Sequence, residues 1–321
     1  MTRVDLITGF LGSGKTTFIK KYAEYLLEKG ENICILENDY GAINVDMMLL
    51  SDLEKRGVGL EMVAGGCDYD CHRRRFKTKL ITMAMLGYSR VLIEPSGIFD
   101  VDEFFDILHE EPLDRLYEIG NVITVVKADL EDDLSDEADF MLASQIANAG
   151  CVVLSHVQEV DKSQVKRTVE HLNNALIKVK SSRKLNADSS DVLAKNWNEI
   201  TPLDYEMIEN SGFRHESYEK KIHMDDSGFD ALFFMNLDMN LEEIKAAIKN
   251  LFNDTSIGRV MRVKGFAKSD DKWYELNATS KGINENEISD GQNVIIVIGE
   301  NLDKDKIDTS FNARFSTVKT E

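Results

Sequence analysis

The stretch GFLGSGKTT, Gly9 to Thr17, holds the densest set of residues suited to chemistry in this chain. Its spacing is Gly-x-x-x-x-Gly-Lys-Thr, after a short apolar run and before an amphipathic one, which is the context of a P-loop. Glycines at positions 9, 12 and 14 let backbone N–H groups turn inward around phosphate oxygens. Ser13 and Thr17 add hydroxyls, and the start of the following helix adds partial positive charge. Lys15 is expected to reach the β- and γ-phosphates of a nucleotide, and Thr16 to ligate Mg²⁺. A second element is VLIEPSG, where an apolar strand ends in Glu94 and Gly97 follows three residues later. A carboxylate there can complete the Mg²⁺ shell or orient the attacking water. Gly97 can offer its backbone N–H to the γ-phosphate.

Positioning these groups requires strands and helices in alternation. RVDLIT, NICILE, RVLIEP, NVITVV and CVVLSH are nearly continuous apolar runs, as expected of parallel strands buried on both faces. Between them, Phe18, Tyr22 and Leu26, and likewise Ile19, Ala23 and Leu27, repeat at i+4 on one helical face. Arg75 to Leu86 repeats the pattern. The alternation predicts a three-layer α/β domain with a mostly parallel sheet over residues 1–200. The polar stretch from Val179 to Trp197 reads as a weakly structured edge or linker, and residues 201–225 as a linker. From 226 to 312, strands DALFFMNL, GRVMRVKGF, KWYEL and NVIIVIGE and helix LEEIKAAIKNLF predict a smaller α+β domain on an antiparallel sheet, with a last helix at Lys304 to Phe311. Residues 313–321 read as a disordered tail.

The order and spacing of TGFLGSGKTT, ENDYG, GGC and IEPSG resemble the CobW/HypB/UreG family of P-loop GTPases, and its CobW-like branch in particular. GRVMRVKGF, Trp273 and IIVIGENLD resemble landmarks of the CobW C-terminal domain. The resemblance implies GTP and Mg²⁺ as ligands, hydrolysis, and nucleotide-driven metal delivery or maturation of a metal- or cobalamin-dependent enzyme. Its implied partners are a client metalloenzyme or corrinoid protein, and a nucleotide-dependent homodimer.

Two departures stand out. Family members carry Asn-Lys-x-Asp for the base, where the Asp accepts two hydrogen bonds from guanine. The aligned positions here are Ser155, His156, Val157 and Gln158. A neutral amide cannot reproduce a charged bidentate acceptor, so ATP stays open beside GTP. The second departure is in GGCDYDC, where the family's Cys-x-Cys-Cys becomes Cys67-Asp68-Tyr69-Asp70-Cys71. Two thiolates at i,i+4 suit one face of a helical turn. Glu37, Asp70, His72 and His109 are the candidates to complete a four-ligand site for Zn²⁺, or for Co²⁺ or Ni²⁺. The alternatives are that Asp68 and Asp70 cap a helix beginning near His72 and that the thiols are ordinary. Cys34 and Cys151 lie in apolar runs and read as core residues. His171, His215 and His223 read as surface residues.

Composition bounds the function. The net charge of −19, from 38 Lys+Arg against 57 Asp+Glu, argues against nucleic-acid binding. The exception is the local basic run HRRRFKTK, either a solvated helix face or a contact for an anionic partner. No apolar run is long enough to span a membrane, and the N-terminus lacks a leader's apolar core, so a cytoplasmic protein is expected. Three functions compete: a nucleotide-hydrolysing metal-delivery protein, a nucleotide switch or adaptor that carries no metal, and a small-molecule kinase. The kinase would need an acceptor site and lid arginines, and no such pattern stands out.

Overall fold

The computed structural model describes residues 1–38, 45–63, 69–97, 99, 101–131, 134–216, 218, 229–235, 237–288 and 293–311. The chain divides into two compact units, Met1–Met224 and Asp225–Glu321.

The strands of the first unit are β1 (Thr2–Thr8), β2 (Ile33–Asn38), β3 (Gly59–Val63), β4 (Arg90–Pro95), β5 (Tyr117–Lys127), β6 (Cys151–Ser155) and β7 (Val192–Leu193). They form one sheet in the order β3-β2-β4-β1-β5-β6-β7, every pairing parallel. Its helices are α1 (Lys15–Glu28), α2 (Val45–Glu54), α3 (Tyr69–Met85), α4 (Val101–Leu108), α5 (Leu113–Leu116), α6 (Asp136–Ala147), α7 (Lys162–Lys178) and α8 (Pro202–Glu209). Alternate strand residues Ile7, Ile35, Leu92, Ile123 and Val153 pack with Phe18, Tyr22, Leu26, Leu53 and Ile208 of α1, α2 and α8. The intervening Leu6, Leu36, Ile93, Val122 and Val152 are equally buried, so the sheet is covered on both faces. Right-handed crossovers place α1 and α2 on one face and α3, α4, α6 and α7 on the other. The winding reverses direction around β1, which is where open α/β sheets bind ligands beyond their strand ends.

The expected three-layer α/β domain is therefore present, and its strands fall where the apolar runs lie. Two strands had no such run. β3 is a short edge strand of mixed polarity, and β7 lies in the stretch read as a weak edge or linker. The segment after residue 200 is not a linker throughout. Thr201 caps α8 with a full capping box, Ile208 is buried, and Tyr205 stacks on Tyr25 with ring centroids 5.0 Å apart. Glu209, at the end of α8, meets Lys29 at 2.5 Å and Arg90 at 3.0 Å, and Arg90 meets buried Asp5 at 2.8 Å. This buried charge network fastens α8 beneath the sheet.

The second unit contains β8 (Phe229–Met235), α9 (Leu241–Asn253), β9 (Arg259–Ser269), β10 (Lys272–Thr279), β11 (Gly282–Ile288), β12 (Val294–Glu300) and α10 (Lys304–Ser310). Its antiparallel sheet runs β11-β10-β9-β12-β8. Val263, Ala267, Leu276, Ala278, Ile295 and Val297 of the sheet pack with Leu241, Ile244, Ile248 and Leu251 of α9. β11, GINENEI, is a polar edge strand that the apolar pattern did not mark; its exposed carboxylates suit an unpaired edge. Residues 313–321 lie outside the described residues.

Candidate functional site

The turn from β1 into α1 is built by backbone the sequence dictates. Gly9 has φ 149°, and a Cβ there would lie 2.2 Å from the carbonyl oxygen of Val125, so only glycine lets β5 pack against this loop. Gly14 precedes α1 with φ 95° and no side-chain cap, and the start of a helix is suited to receive an anionic ligand. Ser13 is buried, and Lys15 is nearly so, its Nζ donating to the Gly9 carbonyl oxygen at 3.1 Å. Gly12 also has positive φ, and Thr17 extends the first turn of α1.

Below the loop, Thr16 Oγ1 donates to Glu94 Oε1 at 2.9 Å, with Glu94 buried at the end of β4. Parallel pairing of β1 with β4 explains how residues 78 apart meet. A hydroxyl beside a carboxylate is a hard-oxygen donor set that suits Mg²⁺. Gly97 presses on the P-loop: a Cβ there would lie 2.7 Å from Leu11 Cδ2 and 2.9 Å from Leu11 N. Its carbonyl accepts a hydrogen bond from Gln145 Nε2 at 2.9 Å, a bracing contact that no local motif announces.

β2 lies beside β4 with Glu37 in register with Glu94 and Asn38 with Pro95. Both carboxylates are buried and, on neighbouring parallel strands, their Cα atoms stand ~5 Å apart with side chains on one face. The Asn38 carbonyl accepts from Ser96 N at 2.9 Å, and its Oδ1 lies 2.8 Å from Nε2 of buried His72. Asn38 thus joins the ends of β2 and β4 to the first turn of α3. The helix starts at Tyr69, three residues before the expected point, so Cys71 and His72 are inside its first turn. Cys71 is half-buried; Cys67 and Asp68 lie outside the described residues.

The remaining candidates do not converge. His109 follows α4, whose Phe104, Phe105, Ile107 and Leu108 face inward and leave it exposed. Among the described residues, no three or more His, Cys, Asp or Glu side chains group to hold a metal, so Glu37, Cys71 and His109 do not form a set. Cys34 and Cys151 are buried, and burial pushes both thiols up to about 12, with Glu61 and Asp191 as further causes. His171 is not a plain surface residue, because its Nε2 lies 2.7 Å from Asp139 Oδ1, and His215 packs on Phe213 at 4.9 Å. His223 lies outside the described residues. The basic run is partly neutralised within the chain. Arg73 and Lys77 pair with Glu110 at 2.5 and 2.6 Å, and Lys79 pairs with Glu61 at 2.7 Å. Arg74, Arg75 and Lys79 line a groove of about 460 Å³ between β3 and α3.

At the other flank, β6 ends in buried Ser155, followed by His156 in the left-handed region at φ 56° and by Gln158. A Cβ on Gly14 would lie 3.7 Å from Ser155 Cβ and 3.2 Å from Trp197 Cη2, so both residues border the P-loop where α1 opens. Trp197 is held by an indole N–H bond to the Leu154 carbonyl oxygen at 2.9 Å and by its edge contact with Phe18 at 5.8 Å. Sequence reasoning placed Trp197 in a polar edge; its signal was a lone large aromatic in a polar run.

The model of the CobW/HypB/UreG nucleotide-binding domain matches residues 3–184, and that of the cobalamin synthesis protein cobW C-terminal domain matches residues 235–314. The zinc chaperone YeiR of Escherichia coli strain K12 is 30% identical over 154 residues, covering 48% of this chain and 46% of its own length. The zinc-regulated GTPase metalloprotein activator 1 of Schizosaccharomyces pombe strain 972 is 25% identical over 181 residues, covering 53% and 43%. The matched stretch thus spans about half the length of these curated relatives. The crystal structure of Zn(II)-bound YjiA GTPase from E. coli aligns over 97% of this chain and 98% of that one, with 16% identity and a TM-score of 0.41. No described helix is long and apolar enough to cross a membrane. With a P-loop domain followed by a CobW-type C-terminal domain, this chain belongs to the CobW/HypB/UreG family.

Proposed function

We propose that this protein hydrolyses a nucleoside triphosphate, GTP on the strength of its relatives, and couples hydrolysis to delivery of a thiophilic metal ion to a client metalloenzyme. The observation that carries this reading is the register of β2 with β4, which sets Glu37 beside Glu94. Glu94 serves the nucleotide: it holds Thr16 and, with it, would ligate Mg²⁺, which offsets charge on the transferring phosphoryl group. Lys15 orients the phosphates, and Glu94 positions water at the γ-phosphorus. Glu37 serves the cargo together with Cys71 and Cys67, a mixed thiolate–carboxylate set suited to Zn²⁺ and, by donor type, to Co²⁺ or Ni²⁺. His109 is left out of this set. Loss of γ-phosphate contacts at Gly97 would shift the end of β4, and Asn38 would carry that shift to His72 and Cys71. The zinc relatives support Zn²⁺ as the cargo.

A second reading is a nucleotide-dependent adaptor that activates a client, such as a corrinoid protein, without carrying metal. The altered Cys67-Asp68-Tyr69-Asp70-Cys71 loop favours it. Activation of a zinc-dependent client by the Cys67→Ser/Cys71→Ser double variant separates the two. Delivery requires that the variant fail; full activation means the adaptor reading holds. The reading places the protein in the cytoplasm, and a homodimer formed across the bound nucleotide is compatible with it.

A further inference from the structure

The loop after β6 departs most from a guanine-selective site, and its side chains show a consistent replacement. Gln158 Nε2 donates to Glu159 Oε1 at 3.3 Å, and His156 Nδ1 lies 2.8 Å from the same oxygen. A donor of the amide must face Glu159, so the second N–H and the Oε1 acceptor remain for a ligand. Asp161 is committed elsewhere. It caps α7, its Oδ1 accepting from Gln164 N at 2.8 Å and from the Ser163 hydroxyl at 2.6 Å. Ser155, at the end of β6, and Trp197 lie beside Gly14, so this loop starts next to the P-loop.

We propose that Gln158 makes the nucleotide site purine-tolerant, so that ATP binds as well as GTP. The proposal rests on the P-loop reading above and specifies its ligand class. A carboxylate offers acceptors only; it matches the two adjacent N–H donors of guanine and opposes the lone pair at adenine N1. One amide donor and one acceptor match adenine through N1 and the 6-amino group. The same pair matches guanine through O6 and N1–H. Neither match carries the charge assistance that made guanine the preferred base. His156 precedes Gln158 by two residues and the Trp197 indole lies beside Gly14, and aromatic contact with a purine face does not depend on the base.

The test is competition of Mg-ATP and Mg-GTP against a fluorescent GTP analogue, using the full chain. The expected result is dissociation constants within about threefold of each other, and a shift of about tenfold or more toward GTP in Gln158→Asp. A wild-type preference for GTP of about thirtyfold or more, or a Gln158→Asp variant with an unchanged ratio, overturns the proposal. Selectivity for GTP that disappears in Glu159→Gln also overturns it, by showing that Glu159 is the base reader. Lys15→Ala distinguishes the two levels of the claim. Loss of both nucleotides in that variant keeps the P-loop reading whatever the base ratio, whereas wild-type protein that binds neither nucleotide overturns both.

Discussion

His72 Nε2 and Asn38 Oδ1 lie 2.8 Å apart, buried between the first turn of α3 and the end of β2. The Asn38 carbonyl in turn accepts from Ser96 N, in the segment between Glu94 and Gly97. A single residue thus touches both the segment between Glu94 and Gly97 and the helix that carries Cys71. Removal of the imidazole breaks this path without touching the P-loop. His72→Ala is expected to keep GTP affinity within about twofold and to lose most of the effect of nucleotide on metal affinity. His72→Gln, which keeps a donor, should retain more of it. Isothermal titration with nucleotide and then metal measures both.

Thr16 and Glu94 are joined by a hydrogen bond beneath the turn from β1 into α1. On the proposed roles, Thr16→Ala and Glu94→Gln should each slow Mg-dependent single-turnover hydrolysis by about a hundredfold or more, since each would remove a group that positions metal or water. Nucleotide binding without Mg²⁺ should change little in Thr16→Ala. Hydrolysis at the wild-type rate in Glu94→Gln would remove Glu94 from the chemistry.

Glu209 fastens α8 to the end of α1 and the start of β4 through Lys29, Tyr25 and Arg90. Burial raises its carboxyl, but the Lys29 hydrogen bond and the charges of Arg90 and Lys29 outweigh burial and hold it below its ordinary 4.5. Its contribution to stability is therefore present above pH 4.5 and lost as pH falls through the lower folded value. Glu209→Ala strips one partner from buried Arg90 and should cost about 3 kcal/mol in urea denaturation at neutral pH. That difference from wild type should shrink in acid.

The thiols should sort by environment. Cys34 and Cys151, buried and raised to about 12, should resist iodoacetamide in the native protein, while half-buried Cys71 reacts. Peptide mapping after native labelling reads this directly. Labelling of Cys34 or Cys151 without denaturant would contradict their placement in the core.

The glycine-rich turn from β1 into α1 was legible in the sequence because such a loop is built from backbone over one turn, so its demands are written at short spacing. The α/β alternation was legible because strands buried on both faces must be apolar throughout. β3, β7 and β11 were not, because edge strands are short or polar and give no such run. The linker assignment over 201–225 failed at α8, whose attachment depends on Glu209 meeting Arg90 across 119 residues. Trp197 against Gly14 and His72 against Asn38 were invisible for the same reason: each is a contact created by the fold between distant segments. The exposure of His109 after α4 was not legible either, because a histidine near a motif in sequence says nothing of the surface it will occupy.

Delivery of metal requires that nucleotide state change the protein's hold on it. The most direct measurement is the Zn²⁺ dissociation constant, by competition with a chromophoric chelator, for full-length protein loaded with a non-hydrolysable GTP analogue and then with GDP. A difference of about tenfold or more between the two states is expected, the size of an ordinary coupling free energy. Equal affinity in both states would contradict it, because a ligand that does not distinguish two states cannot be released by switching between them.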